Sequence, residues 1–490
     1  MSGSKTLFIN NKWIAGTGPA FTSANPATGE VAWTGPSASE NDILTAVEAA
    51  KQAAHGWAST HIETRKDYLR AFAEILLADR NPLSEAISIE TGKPAWESQN
   101  EVNAMIGKID ISIEAYGKRC AELIMDQPHA RSITRHHPHG IVAVFGPSNF
   151  PGHLPNGHIV PALLAGNTVV FKASELTPLV AETTIQLWEK TGLPKGVLNL
   201  VQGGHLTGRH LAVHPLINGL FFTGSWNTGK FLSELFAPHP EKILALEMGG
   251  NNPLVVSQIS NLEAAAYLTI QSAYLTAGQR CTCARRLIVP KGNLGDDFLA
   301  KLMAMIKTIS VGPYTQAPEP YMGPVITKEA AQRLLAVQES LKKQGGKPLI
   351  EMRLLKEGTG LLSPGLMDVT QITSKKDEEY FGPFLQLIRV NNFEEAIQEA
   401  NKTSFGLSAG LFSDSREEYD EFYHRVKAGI INWNVQLTGA SSSAPFGGVG
   451  RSGNYRPSAY YAADYCSYPV ASMESPSCSL PAKTIPGVLI

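Results

Sequence analysis

The sequence predicts an α/β protein whose frame is a parallel, doubly wound sheet, and three observations carry that prediction. Between about residues 138 and 250, short apolar runs at 141–145, 168–171, 197–201, 220–223 and 243–247 alternate with helical stretches. A second strand–helix alternation runs from about 250 to 440. The chain has 490 residues and is 43% hydrophobic, enough for a large core spread over two or three domains. Sheets of this kind place their ligands at the carboxyl ends of the strands.

Taken in order, residues 1–15 alternate apolar and polar side chains like a strand. Asn25-Pro26-Ala27-Thr28-Gly29 reads as a turn between short strands. Over 39–57, Ile43, Val47, Ala50, Ala54 and Trp57 fall on one helical face, with Ser39 as N-cap. The run 141–145 (IVAVF) ends at Gly146-Pro147, and 157–165 reads as a helix. After the strand at 168–171 comes a helix over 178–190, stopped by Gly192 and Pro194. Strands follow at 197–201, 220–223 and 243–247. Further on, 261–277 and 294–308 read as helices and 287–290 as a strand. Residues 455–490 are rich in Tyr, Ser and Pro, have no helical period, and read as an extended arm or a strand pairing with another subunit.

Charge and cysteine usage exclude several functions. Lys and Arg total 42 against 44 Asp and Glu, a formal charge of −2, so nothing electrostatic calls for nucleic acid or an anionic membrane as partner. Residues 1–15 lack the apolar core of a signal peptide. No run reaches the roughly 18 apolar residues of a membrane span. The expected location is the cytoplasm. The five cysteines, Cys120, Cys281, Cys283, Cys466 and Cys478, do not make a disulfide framework.

Three segments carry candidate chemistry. In Gly278-Gln279-Arg280-Cys281-Thr282-Cys283 a thiol sits at a turn beside a cation, which would raise its thiolate fraction. Cys281 reads either as a nucleophile or as an ordinary buried thiol. A metal site is disfavoured, because Cys-x-Cys supplies only two soft ligands. In Leu246-Glu247-Met248-Gly249-Gly250, a carboxylate closes a strand; Glu247 is either a site residue or a plain acid before a turn. In Phe145-Gly146-Pro147-Ser148-Asn149-Phe150-Pro151, a rigid loop carries an Asn able to aim its amide at a developing negative charge, or merely to form a turn.

Taken together, these segments resemble the aldehyde dehydrogenase superfamily. Phe222-Thr223-Gly224-Ser225, Glu379-Tyr380-Phe381-Gly382-Pro383 and Pro445-Phe446-Gly447-Gly448 complete the match in order and spacing, from about residue 25 to about 470. The stretches FGPSNFPGHLPNGHI, GQRCTCARRL and SSAPFGGVGRSGNYRPSAYYAADYC are closest to one branch, whose substrate carries two carboxylates beside its aldehyde. Most of the superfamily has Trp where this chain has Ser148, and commonly Lys where it has Asn251; both departures agree with the branch.

The resemblance implies a fold with a Rossmann-type NAD-binding domain (1–119 and 138–246), an α/β catalytic domain (247–445) and a β oligomerisation arm (120–137 and 455–490). It implies that Cys281 attacks the aldehyde, Asn149 steadies the oxyanion, and Glu247 activates the water that hydrolyses a thioester. On the cofactor side it implies that Lys172 and Glu175 reach the adenosine ribose. Gly224 and Ser225 would line the pyrophosphate or nicotinamide side, and Glu379 and Phe381 the nicotinamide ribose and ring. A carboxylate at Glu175 accepts from a free 2′-hydroxyl and repels a 2′-phosphate, which favours NAD. Gly203-Gly204 and Gly208 do not form a clean dinucleotide fingerprint.

For a substrate bearing carboxylates, Arg280 and Ser442 are the candidate binding residues, the first by its two-pronged guanidinium and the second by its hydroxyl. Arg135-His136-His137-Pro138-His139 has poor metal-ligand geometry and reads as part of an oligomerisation ribbon, so no metal is expected and a homodimer or larger homo-oligomer is. The competing readings are a dehydrogenase of another short acidic aldehyde, and a non-catalytic protein that keeps the fold.

Overall fold

A computed structural model describes residues 5–480 and 485–487. Residues 1–4, 481–484 and 488–490, which end the strand-like amino terminus and the 455–490 arm of the sequence reading, lie outside the described residues.

The first sheet has seven strands in the order Ile243–Met248, Gly219–Gly224, Ile141–Phe145, Thr168–Lys172, Leu198–Val201, Leu7–Ile9 and Lys12–Ile14. The first five are parallel, and the two amino-terminal strands add on antiparallel. Continuous apolar runs such as IVAVF suit this sheet because helices cover both of its faces, leaving no solvent side on which to alternate. Each face has its own core, one around Trp57, Trp188 and Phe171, the other around Phe145, Phe222 and Leu232. The helix Glu40–Ala58 starts at Ser39 as expected. The Ser39 hydroxyl accepts from the Asp42 N–H while the Asp42 carboxylate accepts from the Ser39 N–H, a reciprocal cap.

The second sheet also has seven strands: Lys347–Ile350, Gly365–Asp368, Phe384–Val390, Ala284–Pro290, Asn252–Val256, Ser408–Phe412 and Ile430–Trp433. All run parallel except the edge strand Lys347–Ile350. The chain is therefore an α/β protein with two parallel-sheet domains. Strand Ile243–Met248 crosses the 246/247 point at which the sequence reading divided them, because its pairing with Gly219–Gly224 continues as far as Met248.

Three further departures have local causes. The helix expected over 261–277 is regular only over Leu262–Tyr274, since Thr276, Ala277 and Gly278 all take left-handed backbone angles. The strand expected over 287–290 begins at Ala284, its first half disguised by the charges of Arg285 and Arg286. The 455–490 segment is also not one arm. Its first part folds back on the same chain: Asn454 donates to the Leu244 carbonyl and accepts from the Leu246 N–H. A short helix, Ala462–Tyr465, then brings the Tyr465 hydroxyl within 2.7 Å of His158 Nδ1, whose other ring nitrogen lies 2.9 Å from Thr223 Oγ1. Ser458–Ala459 pairs with Pro445–Phe446, and the longer strand Ser467–Glu474 pairs within the chain with Arg131–Pro138, which pairs in turn with Leu123–Asp126. The histidines of 136–139 belong to this small sheet and its edge. Among the described residues, no cluster of three His, Cys, Asp or Glu side chains could hold a metal ion, and no helix is long and apolar enough to cross a membrane.

Candidate active site

The loop carrying Cys281 leaves helix Leu262–Tyr274 and enters strand Ala284–Pro290. Thr276 (φ 57°) and Ala277 (φ 50°) are non-glycine residues in the left-handed region, a strain of about 1–3 kcal/mol each. Gly278 (φ 70°) follows, where a Cβ would run into the Gly382 carbonyl, so only glycine fits.

Side chains from neighbouring elements hold this backbone. The Asn252 amide donates to the carbonyls of Cys281 (2.7 Å) and Cys283 (2.9 Å), while its oxygen accepts from the Ser408 N–H at 3.0 Å. Fully buried Arg285 donates to the carbonyls of Gly278 (2.6 Å) and Arg280 (3.0 Å). Gln279 donates to the Thr276 carbonyl and accepts from the Ile326 N–H.

The thiol is partly exposed. Desolvation, reinforced by the carboxylates of Glu379 and Glu247, pushes Cys281 up to about 12. This overturns the expectation that the adjacent Arg280 favours the thiolate. The Arg280 guanidinium is engaged elsewhere, donating to Glu97 at 2.7 Å and to the Thr276 hydroxyl at 2.8 Å. The resting thiol is neutral.

Glu247, one residue before the end of its strand, lies beside Thr223 and is 4% exposed. One carboxylate oxygen accepts from the Ser458 N–H at 3.2 Å; the other is buried without a partner. Burial raises this carboxyl well above its ordinary value. A carboxyl of this kind makes a stronger base than a solvated one. Asn149, in the loop after Ile141–Phe145, donates from its amide to the Gln279 carbonyl at 2.9 Å, which holds it against the Cys281 loop.

Two cavities meet at this point. The larger, about 730 Å³, runs along the carboxyl ends of the first sheet and is lined by Lys172, Glu175, Gly224, Ser225, Glu247, Glu379 and Phe381. The smaller, about 250 Å³, is lined by Arg280 and Ser442 among others. Both contain Asn149, Leu154, Cys281 and Phe446, so a molecule in either one faces the same sulfur.

The larger cavity fits a dinucleotide in size and in chemistry. Ser225 caps helix Trp226–Phe236, its hydroxyl accepting from the Thr228 N–H, so the amino-terminal N–H groups of that helix face a cavity wall suited to phosphate. Lys172 Nζ lies 3.1 Å from Glu175. Burial pushes the Glu175 carboxyl up, but Lys172 and a backbone hydrogen bond outweigh it and leave it below its ordinary value, hence ionised. Glu379 is held by Arg285 at 3.4 Å, and the Arg285 guanidinium lies 5.2 Å from the centre of the Phe381 ring. His205 and Arg209 also line this cavity; the sequence reading did not single them out.

A thiol at the junction of a dinucleotide-sized cleft and a short side pocket, with a buried carboxylate in the same cleft, suits an enzyme that holds its substrate at sulfur. The sequence model of the aldehyde dehydrogenase family matches residues 13–469. Among solved structures, the chain is similar to an aldehyde dehydrogenase from Brucella melitensis biovar abortus (31% identity, TM-score 0.90, 96% of this chain and 98% of that one). It is also similar to a 1-pyrroline-5-carboxylate dehydrogenase from Thermus with bound NAD (28%, 0.90, 97% and 93%). A third, the NADP-dependent glyceraldehyde-3-phosphate dehydrogenase from Bacillus halodurans complexed with NADP, matches at 26% and 0.90 over 97% of this chain and 100% of that one. The chain belongs to the aldehyde dehydrogenase family.

Three other residues missed from sequence act from outside the two cavities or from the backbone. Arg285 and Asn252 hold carbonyls of the Cys281 loop, and Ser458 meets Glu247 from a segment far along the chain. The adjacent arginines Arg285 and Arg286, just before an apolar run and four residues past the thiol, were the one available signal.

Proposed function

We propose that this enzyme oxidises N-succinyl-L-glutamate 5-semialdehyde to N-succinyl-L-glutamate with NAD, through a Cys281 thioester, in the breakdown of arginine by the succinyltransferase route. The observation that carries the reading is the meeting of both cavities at Cys281 with Glu247 and Asn149 alongside. The Cys281 thiol passes its proton through Glu247 to solvent, and the sulfur bonds to the aldehyde carbon. Asn149 turns an amide N–H toward the oxygen that becomes negative, a contact typically worth about 10²–10³ in rate. Lys172, Glu175, Gly224, Ser225, Glu379 and Phe381 line the cavity that would hold a nicotinamide dinucleotide, which would supply the acceptor for the hydride leaving the aldehyde carbon. Cys281 is left as a thioester. Glu247 takes a proton from water, the hydroxide adds to the acyl carbon, and the carbon–sulfur bond breaks to give carboxylate and free thiol.

A water-activating carboxylate favours hydrolysis over transfer of the acyl group to coenzyme A. Glu175, ionised where an adenosine ribose would lie, favours NAD over NADP. The solved relatives carry either dinucleotide, so this choice rests on Glu175. The substrate assignment rests on the branch-specific stretches around Ser148, Cys281 and Ser442. The exposed side chains of Leu123, Met125 and Met473, which share one face of the small sheet, support a homo-oligomer formed through that face. Five free thiols suit the cytoplasm.

The test is NADH formation by purified protein with N-succinylglutamate 5-semialdehyde, free glutamate semialdehyde and succinic semialdehyde. Strong preference for the first, abolished in Cys281→Ala, is the expected result. Better turnover of another acidic aldehyde would discard the substrate and keep the chemistry. No turnover by folded protein would favour a non-catalytic role.

A further inference from the structure

The wall of the smaller cavity contains more charge than the mechanism uses. Helix Ala95–Arg119 presents Glu97, Glu101 and Lys108 to it on one face. Two of the local cations are matched. Lys93 Nζ lies 2.5 Å from Glu101, and Arg280 lies 2.7 Å from Glu97. Glu101 is further satisfied by the N–H groups of Gly152 and His153. Lys108 has no such match. It is 1% exposed, and its ammonium nitrogen is sealed from solvent with no hydrogen-bond partner and no carboxylate in reach. Beside it, His153 also lines the cavity with an unpartnered Nδ1.

A buried cation without a counter-ion costs several kcal/mol that a well-packed apolar side chain would not, and an incoming anion would meet a charge already stripped of water. Burial lowers Lys108 only to about 8, which leaves it protonated at neutral pH.

We propose that Lys108, whose ammonium is covered where it lies but is carried on a flexible stem in the cavity wall, turns to bind a substrate carboxylate, and so selects aldehydes that carry an acid group at the end remote from the reacting carbon. This rests on the reading of the smaller cavity as the aldehyde site, and it assigns to Lys108 the work that sequence gave to Arg280. Arg280 already has its carboxylate in Glu97, and its share of substrate binding is correspondingly smaller. His153, kept neutral by burial, adds a hydrogen-bond donor rather than a second charge.

The experiment compares wild type with Lys108→Met, which keeps the length and apolar stem of the side chain and removes the charge. The readout is kcat/KM for succinic semialdehyde divided by kcat/KM for n-butanal, which has the same chain length and no acid. Losing one charge-assisted hydrogen bond predicts a fall in that ratio of about 10- to 100-fold, mostly through KM of the acidic aldehyde. Direct binding of succinate by calorimetry should weaken to a similar degree. Retained NAD affinity in the neighbouring cavity shows that the variant is folded. A wild-type enzyme with no preference for the acidic aldehyde would overturn the acidic-substrate reading and this inference together. A wild-type preference that Lys108→Met leaves intact, with succinate binding unchanged, would overturn the inference alone. If Lys108→Met loses NAD affinity as well, Lys108→Gln provides the same comparison with a polar, uncharged side chain.

Discussion

The Cys281 thiol should be nearly inert to alkylation in the enzyme without ligands, against the usual expectation for a nucleophilic cysteine. Desolvation and the carboxylates of Glu379 and Glu247 raise it to about 12 from an ordinary 9.0. At pH 8 an ordinary thiol of that kind is thiolate in about one molecule in ten, whereas Cys281 is in about one in 10⁴. Iodoacetamide reacts with the thiolate, so labelling of Cys281 should be roughly 10³-fold slower than that of an unperturbed cysteine at the same pH. The assay is mass-spectrometric quantification of the Cys281 peptide over time from pH 6.5 to 9.5, with exposed Cys478 labelled in the same sample as reference. The sign follows from the direction of the shift: with the midpoint above the whole range, the rate should climb about tenfold per pH unit without levelling off. Glu379→Gln removes the largest of the charge effects and should speed labelling. A plateau below pH 9, or labelling of Cys281 faster than Cys478 at pH 7, would refute the electrostatic account of the site.

Other expectations follow from the same geometry. Glu247→Gln should form the thioester and stall, giving one equivalent of reduced cofactor in a burst and a steady-state rate lower by about 10²–10⁴; undiminished turnover would remove Glu247 from the hydrolytic step. Asn149→Ala should lower kcat by about 10² or more with little change in affinity for NAD, measured by titration of the cofactor. Arg285→Met breaks a buried pair with Glu379 and frees three carbonyls, so thermal or urea unfolding should show a loss of about 3–5 kcal/mol. Glu90, raised to about 7 by burial despite hydrogen bonds from Ser23, Leu179 and Val180, takes up a proton on folding. Its contribution is fully present below about pH 4.5 and is lost as pH rises through 7. The stability difference between wild type and Glu90→Gln should therefore shift by about 2–3 kcal/mol against wild type from pH 5 to pH 8.

The fold was readable because a parallel sheet covered on both faces writes itself as unbroken apolar runs. The run 141–145 and its successors needed no context, and Ser39 announced its helix by a reciprocal cap. What the sequence hid were places where tertiary contacts decide the backbone. Nothing local in Thr276-Ala277 favours the left-handed region, so the helix appeared to run on to 277. Arg285 and Arg286 broke an apolar pattern because their charges are satisfied by carbonyls that arrive from elsewhere in the chain. Cys281, Glu247 and Asn149 could be found as residues, yet each was ambiguous on its own segment. The state of the thiol was misread because sequence adjacency placed Arg280 beside Cys281, when Arg280 pairs with Glu97 on a helix of the other half of the chain.

The position of Cys281 is a joint product of both sheets, and the strain in its loop shows how firmly. Two non-glycine left-handed residues together cost about 2–6 kcal/mol, which a free loop would relieve by relaxing. It is not relieved, because Asn252 grips two carbonyls from the second sheet, Arg285 grips two more from the strand that follows, and Asn149 grips Gln279 from a loop of the first sheet. Five hydrogen bonds at about 1 kcal/mol each are of the same size as the strain they oppose. Loosening any one of them frees the sulfur to move, and a displacement of about 1 Å at a reacting atom is enough to cost 10² in rate. The residues that hold this loop therefore set the chemistry as firmly as those that touch the substrate, although neither Asn252 nor Arg285 lines either cavity.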